Sequence, residues 1–362
     1  MNQIKSAKKR IFYYDIIRAF AIICIIACHT FASFASTKGL FGSNFWYYSV
    51  YLNMLRNLGV PLFVVLSGCL LIGRKDSLIT FAKKRLNRVL VPYIFWGIIF
   101  ILFVIFLQYI GQNYYDYGTI GNLIFSVFNI NPDGKTVFFW FVPMILVTYV
   151  IIFIINKLNE RYENTLKIAL IISLILIVLI NIDLIPKSKP YNYLYYFIFA
   201  VMGYYLSGCD LNNNKYVNLS YNKLLALFLI IAIAFYSAEI LLLTSHSLSI
   251  KSYGSISQFN ILNIIAVLST FLAFRCFSES DGIINKLESS KLGKAIFSVS
   301  VCSYGIYLSH MIVKYGFYIL LAPLKSQKFV YTSLTLVLTL VCSWALILIL
   351  SKIPVLKRLC GV

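Results

Sequence analysis

The sequence predicts an all-α integral membrane protein with about ten transmembrane helices and both termini in the cytoplasm. Three observations carry that prediction. First, 60% of the 362 residues are hydrophobic and only 12% are charged, a composition outside the range of soluble domains. Second, the apolar residues gather in ten runs, near 11–34, 47–73, 89–110, 137–156, 166–182, 191–208, 223–243, 259–277, 297–321 and 329–351. Each is close to the ~20 residues that a helix needs to cross a bilayer. Third, the net charge of +20 is unevenly placed. With the N-terminus inside, inward-facing segments hold 22 lysines and arginines and outward-facing segments seven, while Arg18, Arg56 and Lys314 are embedded. This is the positive-inside pattern. The basic excess orients the chain, and no nucleic-acid partner is expected.

The first run follows Lys5, Lys8, Lys9 and Arg10. Ser33 and Ala35 imitate a cleavage site, but the length of the run and its Asp15 and Arg18 are foreign to a secretory signal. It is therefore expected to stay as the first span. Pro61, Pro92 and Pro143 fall within or near span ends, where a broken backbone is tolerated if protein buries it. The fifth and sixth runs are short. Residues 113–139 form the one sizeable outer loop, rich in Tyr114, Tyr115 and Tyr117 and ending at Trp140. Aromatic faces there suit either a sugar ring or the membrane interface. His246 is expected in a solvated outer loop. No repeat or appended soluble domain is visible, so residues 1–362 read as one membrane domain. The eight cysteines lie in spans or on the inner side, which argues against a disulfide framework. Cys24, Cys28 and His29 lack a second ligand cluster, so no metal is expected.

Arg18 and His29 stand out because both occupy the first span. Eleven residues make three helical turns, so the two side chains share a face about 16 Å apart along the axis. An arginine at mid-depth costs at least ~2.5 kcal/mol. Such groups are kept where they face a protein interior or a wet cavity.

With its flanking sequence the pair carries a family resemblance. Tyr14 through His29, with ten residues between arginine and histidine, resembles the first helix of the acyltransferase-3 family of multi-pass membrane O-acyltransferases. Val60-Pro61-Leu62-Phe63-Val64-Val65-Leu66-Ser67-Gly68 resembles that family's second helix, and Arg85-Leu86-Asn87-Arg88 its arginine-x-x-arginine at the start of the third. Trp140-Phe141-Val142-Pro143 and Ser303-Tyr304-Gly305-Ile306-Tyr307-Leu308-Ser309-His310 resemble its fourth- and ninth-helix patterns. Met311 stands where the family commonly has proline. The resemblance spans the chain. It implies transfer of an acyl group, expected to be acetyl, from cytoplasmic acyl-CoA to a hydroxyl of a cell-envelope glycan or its lipid-linked precursor, at the plasma (inner) membrane. The alternative from another class is a glycan or lipid exporter in which Arg56, Lys314 and Glu239 line a path.

Within that resemblance, Arg18, Arg85 and Arg88 are expected to hold acyl-CoA, because guanidinium groups stay charged and present forked donors to phosphate. His29 is expected to act as general base or as an acylated relay, since an imidazole titrates near neutrality. Asp15 lies about 21 Å from His29 along the helix and cannot orient it. It is expected to pair with Arg18, three residues on. Arg56 should lie at the depth of His29, where a cation would steady an oxyanion. Glu239 is the expected partner of Arg56 or Lys314, and His310 is expected to be packed and hydrogen-bonded. Trp140 and Tyr304 complete the supporting candidates.

The topology is tested by labelling single introduced cysteines. Positions 3 and 361 are expected to be protected from an impermeant thiol reagent and position 116 to react. External labelling of either terminus would reverse the orientation.

Overall fold

The first apolar run folds as one unbroken helix, α1 (Phe12–Ala35), and other helices pack around it. The computed structural model describes residues 10–112, 119–128, 138–185, 191–209, 211, 219–254, 256–280 and 283–362. The described residues are 84% helical and contain no strand, as the all-α prediction requires. After α1 come α2 (Asn44–Met54), α3 (Arg56–Leu71), α4 (Leu78–Arg85), α5 (Val91–Tyr109), α6 (Ile120–Val127), α7 (Phe141–Arg161) and α8 (Thr165–Asn181). They are followed by α9 (Tyr191–Tyr195), α10 (Phe197–Gly208), α11 (Tyr221–Ser249), α12 (Ile261–Glu279), α13 (Ile283–Ser289), α14 (Lys291–Leu320), α15 (Lys328–Ser351) and α16 (Pro354–Leu359). Lys5, Lys8, Lys9, Lys135, Lys187, Lys189 and Lys215 of the charge pattern, and Tyr114, Tyr115 and Tyr117 of the predicted outer loop, lie outside the described residues.

Among the described residues, eight helical stretches are long and apolar enough to cross a bilayer: α1, α2–α3, α4–α5, α7, α11, α12, α14 and α15. The expected fifth and sixth spans are shorter. The fifth, α8, has 17 residues, and the sixth is divided into α9 and α10 at Tyr196.

Two boundaries depart from the sequence reading for identifiable reasons. The third helical stretch begins at Leu78, before the apolar run, because the Ser77 hydroxyl caps it at the Thr80 amide. A π-helical turn, Leu86–Leu90, then carries it through the basic segment. The seventh runs on to Ser249 because the hydroxyls of Thr244, Ser245 and Ser249 bond back to carbonyls of their own helix. His246 is therefore exposed in a last helical turn, not in a loop.

Packing explains why α1 is central. It touches α2, α3, α12, α14 and α15, and Ile17, Ala21, Ile22 and Ile26 are fully buried. Without a hydrophobic drive between helices in lipid, small residues let the backbones approach. A Cβ at Gly68 would come within 1.8 Å of the Ala200 carbonyl oxygen, and one at Gly203 within 2.3 Å of that of Val65. These two glycines lock α3 to α10. Large apolar side chains that remain exposed, such as Ile168, Ile171, Ile172 and Ile175 on α8 and Ile230 and Ile233 on α11, form a surface suited to lipid.

Gly203→Ala is expected to destabilise the purified protein by about 1–3 kcal/mol, the usual cost of overpacking, read as a lower thermal midpoint. Gly316→Ala, with nothing within 4 Å of the added carbon, should leave the midpoint unchanged. Equal midpoints for both variants would contradict the α3–α10 lock.

Candidate functional site

The polar residues of α1 are distributed along its length, and each is handled differently. Asp15, near the start, is 4% exposed. It accepts from Arg10 Nε at 2.6 Å and from the Ser300 hydroxyl of α14 at 2.7 Å, and meets Arg18 Nη1 at 3.4 Å. The expected Asp15–Arg18 pair therefore forms, but Arg10 is the closer partner. Asp15 ties α1 to α14 and lends only part of its charge to Arg18.

Arg18 projects into a cavity of about 190 Å³ that Arg85, Arg88, Tyr149, Ser303 and Tyr304 also line. The sequence motif thus brings its three arginines and Tyr304 together. Arg85 and Arg88 do not sit on a regular α-helical face, because the π-helical turn starts directly after Arg85 and contains Arg88. Such turns often mark functional positions, and here the Tyr304 hydroxyl holds the Val89 carbonyl at 2.7 Å. Arg85 lies beside the rings of Phe81 and Tyr149, at 5.6 and 5.7 Å, and its buried Nε has no partner. Three guanidinium groups on one cavity, with no carboxylate among the described residues that line it, fit a polyanionic ligand.

His29, near the other end of α1, lines a larger cavity of about 690 Å³. Arg56 and Asn57 enter it from the start of α3, Trp140 from the turn before α7, Tyr193 and Tyr196 from α9 and its end, and Ser257, Gln258 and Phe259 from the segment before α12. His29 and Arg56, expected at one depth, both line this cavity, and Trp140 lines it too. Pro61 lies four residues beyond Asn57 inside α3 and offers no amide proton to the turn before it. α2 breaks from α3 at Leu55, immediately before Arg56.

Around His29 the histidine ring stands 5.1 Å from that of His310 and 6.2 Å from that of Phe138. His310, fully buried, shares a hydrogen bond of 2.6 Å between Nδ1 and the Tyr307 carbonyl, while its Nε2 has no partner. Lys314 donates to the His29 backbone carbonyl at 2.9 Å. The expectation that Glu239 pairs with Arg56 or Lys314 is corrected. Glu239 is fully buried and accepts from Asn57 Nδ2 at 2.9 Å, and no ion pair joins it to either cation. An amide on α3 reaches it first. Cys28, once weighed as a ligand, donates its thiol to Asn53.

The two cavities share three lining residues: Ile25, Phe141 and Tyr307. Ile25 sits on α1 between Arg18 and His29. Tyr307, one helical turn before His310, bonds the Phe138 carbonyl through its hydroxyl at 2.5 Å. Arginines and histidine thus occupy two chambers with a common wall.

Sequence reasoning missed the asparagines that shape this arrangement. Asn181 of α8 donates to the Phe259 carbonyl and accepts from the Ile261 amide, at 3.0 and 2.9 Å. Asn263 holds the Gln258 carbonyl at 2.7 Å. Together they fix the strip of chain that presents Gln258 and Phe259 to His29. Asn156 of α7 bonds the Leu71 carbonyl and the Gly73 amide, at 2.8 and 2.9 Å, closing the end of α3 beside the arginine chamber. An amide inside an apolar span was the available signal, since it must find a partner there.

No curated protein and no solved structure matches the chain. The acyltransferase domain family matches residues 11–348, which contain both His29 and the three arginines. The chain therefore belongs to the acyltransferase-3 family and is a multi-pass membrane acyltransferase.

Proposed function

We propose that the protein transfers an acetyl group from cytoplasmic acetyl-CoA to a hydroxyl of a cell-envelope glycan or its lipid-linked precursor, at the plasma membrane. The observation that carries this reading is the pair of chambers meeting at Ile25, Phe141 and Tyr307, with Arg18, Arg85 and Arg88 on one side and His29 on the other. The smaller chamber has the volume for a narrow arm and not for a nucleotide. The nucleotide phosphates would rest at its mouth, where Arg88 is exposed, and Arg18 would meet the arm deeper in. Arg18 to His29 is about 16 Å along the helix, a distance an extended pantetheine arm can bridge. The positive-inside pattern puts the arginine end in the cytoplasm, where the donor is made.

Acetyl-CoA supplies an activated thioester carbonyl and departs as a thiol. In this account His29 accepts the proton of the acceptor hydroxyl as the new C–O bond forms and the C–S bond breaks, and that proton passes to the leaving sulfur. Lys314 holds the His29 backbone and so sets where the ring can reach. Phe138 and His310 wall its flanks.

His29→Ala and His29→Gln are both expected to lower acetyl transfer by at least about a hundredfold while acetyl-CoA binding stays near that of the wild type. Arg85→Gln and Arg88→Gln should each weaken acetyl-CoA binding by roughly tenfold, the scale of one charge-assisted contact. Membrane insertion should persist because Arg74, Lys75, Lys83 and Lys84 remain. Transfer by well-folded His29→Gln at wild-type rates would contradict the role of the base. Unchanged binding in both arginine variants would contradict the donor site.

A further inference from the structure

We propose that the sugar acceptor carries an acidic group, a carboxylate or a phosphate, and that Arg56 binds it in the chamber beside His29. This rests on the reading of His29 and the two chambers given above and adds the class of substrate.

The described residues lining the His29 chamber include one charged group, Arg56. Its guanidinium has five donors, and among the described residues it forms no hydrogen bond and no ion pair. Elsewhere in the bundle, Arg18 meets Asp15, Lys314 donates to the His29 carbonyl, and Arg275 bonds the carbonyls of Leu206 and Cys209, while Arg85 and Arg88 line the other cavity. Arg56 lies within electrostatic reach of His29, Cys28, Tyr196 and Glu239, so its charge is felt throughout the chamber. Glu239 forms no ion pair with it: Oε1 accepts from the Asn57 amide, and Oε2 is enclosed without a partner.

Asn57 itself is fully buried at the chamber wall, its Oδ1 enclosed by protein. The same chamber is lined by Trp140 and Tyr193, their rings 16° from parallel, and by Tyr196, whose hydroxyl is turned to Gln258 Oε1 at 2.5 Å. The chamber therefore combines flat aromatic faces with one cation that has no ion-pair partner among the described residues. Its volume, about 690 Å³, lies within the range of small-ligand sites. A neutral sugar would use the faces but leave the guanidinium without an ion-pair partner. An anionic sugar uses both, with forked donors to its oxygens. The acid group is a handle and is not consumed: it stays ionised while a hydroxyl on the same sugar reacts.

The test measures transfer of labelled acetyl from acetyl-CoA by the purified full-length protein to methyl β-glucoside, methyl β-glucuronide and glucose 6-phosphate. At least one charged probe is expected to exceed the glucoside in kcat/KM by about tenfold or more, the scale of a charge-assisted hydrogen bond. Which charged probe is preferred distinguishes carboxylate from phosphate. Arg56→Gln should collapse that preference by raising KM for the charged probe, and Arg56→Lys should restore part of it. Acetyl-CoA binding, measured alongside, reports on folding. Equal use of all three sugars by the wild type would overturn the inference. So would an Arg56→Gln variant that lowers kcat equally for every probe, since Arg56 would then act on the reacting carbonyl. Transfer to none of the sugars by protein that binds acetyl-CoA would overturn the sugar-acceptor reading, and this inference with it.

Discussion

An ionisable side chain inside an apolar bundle must be paired, hydrogen-bonded or directed into a polar cavity, and that constraint arranges everything else in this protein. α1 carries Asp15, Arg18 and His29 through the centre of the bundle. Asp15 is satisfied by Arg10 and Ser300, which fixes α1 against α14. With Asp15 so committed, Arg18 is left partly compensated and faces a cavity that two further arginines line. Three turns on, His29 faces the other. The helix that the fold is built around is thus also the one that spans the proposed donor and acceptor sites.

The chambers exist because the surrounding helices are interrupted where they meet α1. The π-helical turn between α4 and α5 brings Arg85 and Arg88 to one cavity. The break before α3 brings Arg56 and Asn57 to the other. The break before α3 lies among buried and half-buried residues, where an interrupted backbone is tolerated, whereas the π-helical turn is largely exposed, with Val89 its one buried residue. Close glycine contacts between α3 and α10 and the asparagine brackets of α7, α8 and α12 hold the surrounding walls in place. The wall of Ile25, Phe141 and Tyr307 is thin because it belongs to both cavities.

Much of this was legible in the sequence. The common face of Arg18 and His29 follows from helical periodicity alone, and the clustering of Arg85 and Arg88 with Arg18, and of Arg56 with His29, agrees with what span order and motifs implied. Less legible were features that depend on partners far away in sequence. Charge suggested Glu239 as an ion-pair partner, yet the Asn57 amide binds it, because proximity on the folded helices decides among candidates that charge cannot rank. The helical extensions at Leu78 and Ser249 were hidden because hydropathy marks lipid contact, whereas serine and threonine hydroxyls let a helix continue into polar sequence. Asn53, Asn57, Asn181 and Asn263 went unweighed because an uncharged amide disturbs hydropathy little, although burial obliges it to find a partner.

The central claim is that a donor held by the arginines reaches His29 across the shared wall. It is tested most directly by an experimental structure of the protein with a thioether analogue of acetyl-CoA, in which the sulfur-linked carbon marks the reacting position. The account requires the phosphates against Arg85 and Arg88, the arm passing Arg18 and Tyr307, and the marked carbon within one acceptor oxygen of the His29 ring, about 3–5 Å. Phosphates bound away from both arginines, or a marked carbon that stops on the arginine side of Ile25, Phe141 and Tyr307, would contradict it.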